Sequence, residues 1–383
     1  MVTNVEKMLQ DRVEQRAREL AELKAAGRKV VGYLPGSYVP EEIICAAGAI
    51  PVGLGPAGDP VPVEASSALI PRVFCPFVRA QLGETVLARD IFYGLVDMIV
   101  TPVACQHLKK LAEIWEYRSD FPMIKLGVPL ANTGEPGLQY YRDQLAKLIE
   151  RLEALTGYEI TEARLCSAID TYNNLRRAFR RLAALRQREC PPVDCMTFLR
   201  LQHASLYLDP VELTQIVHRL CDEVESTAKA ATQGPRLLLM GPNLCPGDYK
   251  IPVLVENAGG MIVAEFIDEG VRNFWKEIRA DTDPLAALAS GYLRDRVPCA
   301  FMVESARARL QFALGLIQDF SISGVIWYEL VGCETYDSES FWFSEELRNR
   351  GIPVLILESE FGDSDWATLK TRVDAFIEIL RGV

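Results

Sequence analysis

The chain carries the same piece of fold twice, and this restricts its architecture more than any other feature. A strand-like run, Lys29–Leu34, leads through Gly36 into a helix, then Ala47-Gly48-Ala49 and a strand beginning at Ile50. Much later, Arg236–Met240 leads through Gly241 into a helix, then Asn257-Ala258-Gly259-Gly260 and a strand beginning at Met261. Arg72-Val-Phe-Cys75-Pro-Phe77 is answered by Arg296-Val-Pro-Cys299-Ala-Phe301. Val96–Val103 ends in Ala104-Cys105, and Gly324–Val331 ends in Gly332-Cys333; a helix and another strand follow each. Matched blocks in one order mark an internal duplication. Within each copy strands alternate with helices, the pattern of a parallel sheet built from βαβ units.

Between the copies the strands vanish. Helical periodicity runs through Tyr141–Leu155, Thr161–Gln187 and Asp209–Ala231, interrupted at Pro191-Pro192. The further strands expected are Met98–Val100, Met123–Leu126, Gly324–Trp327 and Pro353–Ile356, and the further helices are Val5–Ala26, Leu108–Tyr117 and Asp365–Leu380. The layout expected is an N-terminal helix over 1–27, an α/β domain over 28–137, a helical connection over 138–233 and a second α/β domain over 234–383. A length of 383 residues suits such a two-domain chain.

Forty-one basic residues against 52 acidic ones leave a formal charge of −11. A nucleic-acid binder needs the opposite balance, so that class is set aside. No run reaches the roughly 18–20 apolar residues of a membrane span, and Met1–Lys24 is charged throughout, without a signal-peptide core. The chain reads as soluble and cytoplasmic. Gly53-Leu-Gly55-Pro-Ala-Gly58 matches a dinucleotide fingerprint after a strand, but Asp59-Pro60-Val-Pro62 follows and reads as opening no helix for a pyrophosphate. No phosphate loop with its Lys-Ser/Thr ending occurs, so if the function needs ATP a partner must hydrolyse it.

Cysteine carries the chemistry. There are ten and only three histidines, and a chain without a secretory signal keeps its thiols reduced. In an open parallel sheet, ligands sit beyond the carboxyl ends of the strands. Cys105, Cys245 and Cys333 follow such ends, Cys75 and Cys299 occupy the matched Arg-Val-x-Cys blocks, and Cys45 lies in the first turns after the first strand. Two facing sheets would bring these six thiols to one cleft, which suits an iron–sulfur centre, since iron there is held by cysteine thiolates. For any one of them, a small buried apolar side chain is the competing reading. Cys166, Cys190, Cys195 and Cys221, all in the helical connection, are given that reading. Cys190-Pro-Pro-Val-Asp-Cys195 has no second Cys or His pair to complete a zinc site.

The succession Val39-Pro-Glu-Glu-Ile-Ile-Cys-Ala-Ala-Gly48-Ala-Ile-Pro-Val, Cys75-Pro-Phe-Val-Arg-Ala-Gln-Leu-Gly83, Cys105-x-x-Leu-Lys-Lys, Cys333-x-x-Tyr and Thr371-Arg-Val-Asp-Ala-Phe-Ile-Glu378 resembles the 2-hydroxyacyl-CoA dehydratase and benzoyl-CoA reductase family. The resemblance runs from about residue 28 to the end. It implies two flavodoxin-like domains with a cluster between them and low-potential electrons from an ATP-hydrolysing [4Fe-4S] activator. In the dehydratases three cysteines hold one [4Fe-4S] cluster, and the motifs put these at Cys75, Cys105 and Cys333. The surplus of Cys45, Cys245 and Cys299 is similar to the double-cubane proteins. In that homodimeric branch six cysteines hold an [8Fe-9S] centre, and similar members reduce small unsaturated molecules. The resemblance therefore implies such a reductase with all six cysteines as ligands. Its alternatives are a 2-hydroxyacyl-CoA dehydratase subunit with one cubane, and a cluster scaffold or electron carrier.

Three further residues are candidates for catalysis. Gln106 and His107 adjoin a proposed ligand, and an imidazole there could supply protons near neutral pH. Ser37, in the turn after the first strand, could hydrogen-bond a bound ligand. For all three, local capping or a solvent-facing helix start is the competing role.

Overall fold

The computed structural model describes residues 3–36, 38–118, 121–226, 234–268, 270–280 and 283–382. The first copy holds β1 (Val30–Tyr33), α2 (Glu41–Ala46), β2 (Ile50–Gly53), α3 (Pro60–Ala65), α4 (Pro76–Leu87), β3 (Met98–Val103), α5 (Gln106–Arg118) and β4 (Met123–Gly127), after an N-terminal α1 (Thr3–Ala25). Four helices follow without a strand: α6 (Glu135–Thr156), α7 (Glu162–Leu185), α8 (Cys195–Ala204) and α9 (Pro210–Ser226). The second copy runs β5 (Arg236–Met240), α10 (Lys250–Asn257), β6 (Met261–Phe266), α11 (Val271–Phe274), α12 (Pro284–Ser290), α13 (Ala306–Asp319), β7 (Gly324–Leu330), α14 (Glu334–Arg348), β8 (Val354–Ser359) and α15 (Trp366–Arg381).

The strands form two four-stranded sheets with every pairing parallel, ordered β2-β1-β3-β4 and β6-β5-β7-β8. Each copy thus repeats one topology, the doubly wound flavodoxin-like order, and the expected α/β fold class is borne out. Helices on both faces explain why the central strands are apolar along their length, since neither face meets water. All seven residues of β7 are buried, as are all four of β1. In such an order the chain winds one way after β1 and the other after β3, leaving a crevice at the carboxyl ends of these strands.

Helix α7 ties the copies together. Its start is capped by the Thr161 hydroxyl, which accepts from the Arg164 N–H, and near its middle Arg176 reaches Glu42 at 2.5 Å. At its carboxyl end Arg186 clasps Glu265 on β6 with two bonds, at 2.7 and 2.5 Å. Both pairs are buried.

One expectation is corrected. A helix does follow the Gly53–Gly58 run, because Pro60 sits in its first turn and Asp59 accepts from the Val61 N–H at 2.8 Å. It spans six residues, and its open end is already met by the Asp59 carboxylate. Gly58 serves the interface between the copies: a Cβ there would stand 2.4 Å from the Gly247 backbone, and next to it the Ala57 N–H donates to the Pro246 carbonyl at 2.9 Å. The expected helix over Asp209–Ala231 is found as α9 up to Ser226; residues 227–233 lie outside the described residues.

Candidate metal centre

Three cysteines stand at helix starts and line one cavity of about 420 Å³. Cys75 is the N-cap of α4, with Pro76 next to it. Cys105 directly precedes α5, and Cys333 is the N-cap of α14. Two of these positions follow from one rule of the fold, since Cys105 lies just past β3 and Cys333 just past β7, matched strands of the two sheets. The cavity therefore draws thiols from both copies.

Gly332 brings them close. Its φ is +76°, a conformation few side chains tolerate, and a Cβ there would lie 3.2 Å from the Val73 carbonyl oxygen and 3.6 Å from Cys75 Cα. The turn before Cys333 in the second copy thus rests on the backbone before Cys75 in the first. Cys105 Sγ accepts from the Leu108 N–H at 3.5 Å, and the Thr335 hydroxyl stands 3.7 Å from Cys333 Sγ.

Burial dominates the electrostatics. It pushes the Cys75 thiol up to about 12, and it raises Cys105; Cys333 is raised by burial and then by the neighbouring Cys75 and Cys299. On their own these thiols stay protonated at neutral pH. Helix N-termini and a bound cation act the other way, stabilising thiolate. Cysteine sulfurs at positive helix ends are the donors that iron–sulfur clusters take, and Cys75, Cys105 and Cys333 are the residues on this cavity that could supply them.

His107 lines the same cavity, and its Nδ1 accepts from the Cys75 N–H at 3.3 Å. That bond fixes the neutral tautomer with its proton on Nε2, 3.9 Å from the exposed Glu334 carboxylate. Burial holds the imidazole below its ordinary value, and its ring packs on Phe74 at 4.8 Å between centroids. Gln106 also lines the cavity. Ser37 lies outside the described residues.

The remaining three candidate cysteines stand apart from this lining. Cys299 is nearest, within electrostatic reach of Cys333; its sulfur lies 3.6 Å from the Tyr336 hydroxyl, and its N–H donates to Tyr38 Oη at 3.1 Å. Cys45, on α2, faces the Tyr172 hydroxyl of α7 at 3.7 Å. Cys245 accepts from Asn243 Nδ2 at 2.9 Å and is fully buried. The structure brings neither Cys45 nor Cys245 to the three-thiol cavity. Cys195 and Cys221 are buried and Cys166 and Cys190 half-buried, none of them lining it.

Sequence reading did not find Tyr140, Leu130 and Phe301, which complete the cavity wall. The chain's return after β4 brings Leu130 and Tyr140 there with no motif to signal it, while Phe301 closes the matched block of Cys299 without marking a cavity wall.

Comparison with known proteins identifies the family. The family profile of the 2-hydroxyglutaryl-CoA dehydratase D-component matches residues 36–380. The chain is 26% identical to YjiM of Escherichia coli (strain K12), a provisionally assigned dehydratase subunit, over 94% of this chain and 93% of that one. It is 22% identical to the (R)-phenyllactyl-CoA dehydratase beta subunit of Clostridium sporogenes, over 94% and 93%. It is 24% identical to a benzoyl-CoA reductase subunit of Thauera aromatica, over 92% and 91%. No helix among the described residues is long and apolar enough to cross a membrane. With the profile covering most of its length, the chain belongs to the 2-hydroxyglutaryl-CoA dehydratase D-component family.

Proposed function

We propose that the chain is the cluster-bearing subunit of a low-potential dehydratase or reductase, with one [4Fe-4S] cluster held by Cys75, Cys105 and Cys333. The observation that carries this reading is the convergence of three helix-start thiols, drawn from both copies, on one cavity. Bound there, the cluster would supply single-electron chemistry. The six-cysteine [8Fe-9S] reading is less well supported, because Cys45 and Cys245 are engaged elsewhere.

The chain's own residues then have definite tasks. The His107 Nδ1 bond holds the Cys75 backbone, and Nε2–H keeps a proton at the cavity wall. Val103, Val128 and Phe301 exclude water from the thiols. Leu130, on the cavity wall, is 72% exposed, and Val73 and Val303, two residues from the lining residues Cys75 and Phe301, are 71% and 77% exposed. Apolar side chains left that open suit a protein surface that docks there, and we read it as the seat of the ATP-hydrolysing electron donor. Relatives named as beta subunits further suggest a component beyond this chain.

The test is iron and acid-labile sulfide per chain after anaerobic reconstitution. About four irons supports this reading and about eight supports the double cubane. Serine at Cys75, Cys105 or Cys333 lowers the count; an unchanged count in all three variants refutes the assignment.

A further inference from the structure

A second cavity, of about 70 Å³, lies at the carboxyl end of β1, walled by α7, α8 and the end of α11 at Asn273 and Phe274. No cysteine lines it, so it is separate from the three-thiol site. Leu34, Leu175, Phe179 and Phe274 make it largely apolar. Among them stands Gln202, only 4% exposed, whose Nε2 has no hydrogen-bond partner among the described residues. A buried amide donor left unmade is costly, so its place on a cavity wall points to a ligand acceptor.

The charges nearby say what kind of ligand fits. Glu41 lines the cavity, and its two carboxylate oxygens accept from the Tyr33 and Tyr292 hydroxyls at 3.0 Å each. Glu42 stands closer to the same Tyr292 hydroxyl, at 2.7 Å, so the two carboxylates share its one proton, and Glu42 pairs with Arg176 at 2.5 Å. Arg296 stacks on the Tyr292 ring, its Cζ 3.6 Å from the centroid. Arg176 thus pairs with Glu42, while burial and Glu42 raise the Glu41 carboxyl and the Arg296 charge pulls it back down. A further charge would be buried without a counterion, which is strongly disfavoured.

We propose that this cavity binds a neutral small molecule with a carbonyl oxygen on a short apolar chain, the oxygen accepting from Gln202 Nε2. The apolar chain lies along Leu34, Phe179 and Phe274, and the oxygen completes the amide's bonding. An alcohol of the same length fills the space but is a poorer acceptor. A carboxylate brings the charge that the balanced walls reject. Free amides and acyl thioesters share the required group.

The experiment is calorimetric titration of the intact chain with butyramide, butyrate, butanol and S-butyryl-N-acetylcysteamine. At least one of the two neutral carbonyl compounds binds, and butyrate and butanol bind about tenfold more weakly or not at all. Tighter binding of the thioester assigns an acyl thioester as the source, and tighter binding of the amide assigns a free small molecule. Gln202→Met, with its circular dichroism melting checked, weakens binding about tenfold and leaves iron content unchanged. Leu175→Phe, which narrows the cavity without touching the amide, weakens it as well. The proposal is overturned by no binding of either carbonyl compound, by butyrate binding as tightly as they do, or by affinity unchanged in both variants. Iron content is read on the same samples, so failure of this site is distinguishable from failure of the cluster assignment.

Discussion

Gly332 meets two demands at once, a positive φ and a close approach to the backbone of the other copy. Gly332→Ala should therefore cost about 1–2 kcal/mol in urea unfolding, from the left-handed backbone alone. Crowding against the Val73 carbonyl adds to this, and the variant should also bind less iron; full iron at unchanged stability would remove Gly332 from the argument. Asp248 offers a second test at this scale. Burial pushes its carboxyl up to about 6, against the Tyr328 hydroxyl bonded to it at 2.8 Å and the charge of Lys250, which both pull it down. A carboxyl raised on folding holds a proton that the unfolded chain has already released. Its contribution to stability is thus complete below about pH 4 and is lost as pH climbs through about 6, a fall of about 3 kcal/mol. Asp248→Asn should flatten that part of the stability profile, measured by denaturant midpoints from about pH 4 to about pH 7. A profile as steep as the wild type's would mean that another group carries the slope.

At the scale of elements, the strands were legible because parallel sheets covered on both faces demand apolar runs, and each of the eight expected runs became a strand. The short helices were harder to read. Asp59-Pro60 looks like a break in the sequence, yet proline in a first turn with a carboxylate cap starts α3. Likewise α8 is hidden behind Pro191-Pro192, and Asp194 caps it by accepting from the Thr197 N–H at 2.7 Å. The resemblance singled out Cys75, Cys105 and Cys333 as one set, and the structure puts all three at helix starts on one cavity. Cys45, near the end of α2, instead faces Tyr172 of α7, a helix outside the duplicated pattern. The importance of α7 leads to a prediction about the pair at its end. Arg186→Met leaves Glu265 buried without its partner and should cost about 3–5 kcal/mol in chemical unfolding. Adding Glu265→Leu should recover most of that loss, since an apolar pair of similar volume is tolerated where a lone charge is not. A double variant as unstable as the single would mean that geometry, and not the stranded charge, sets the cost.

At the scale of the whole molecule, the duplication explains why the thiol cavity lies where it does. Two sheets of one order present the carboxyl ends of their strands to each other, so loops after matched strands meet there. The same arrangement builds the cavity wall from both copies, with exposed Leu130 on it and exposed Val73 and Val303 two residues from Cys75 and Phe301 in the chain. These three side chains are mostly exposed, and the proposed docking gives them a role. Leu130→Asp and Val303→Asp should leave folding stability within about 0.5 kcal/mol, as surface changes do, and should leave iron content unchanged. They should lower electron delivery from the proposed ATP-hydrolysing donor by about tenfold or more, in proportion to the apolar area and desolvation lost at such a surface. The rate of cluster reduction by that donor is the measurement, with a small chemical reductant as control, since dithionite needs no docking surface. Equal loss with both reductants would trace the defect to the cluster itself, and no loss with either would move the docking face off the cavity mouth.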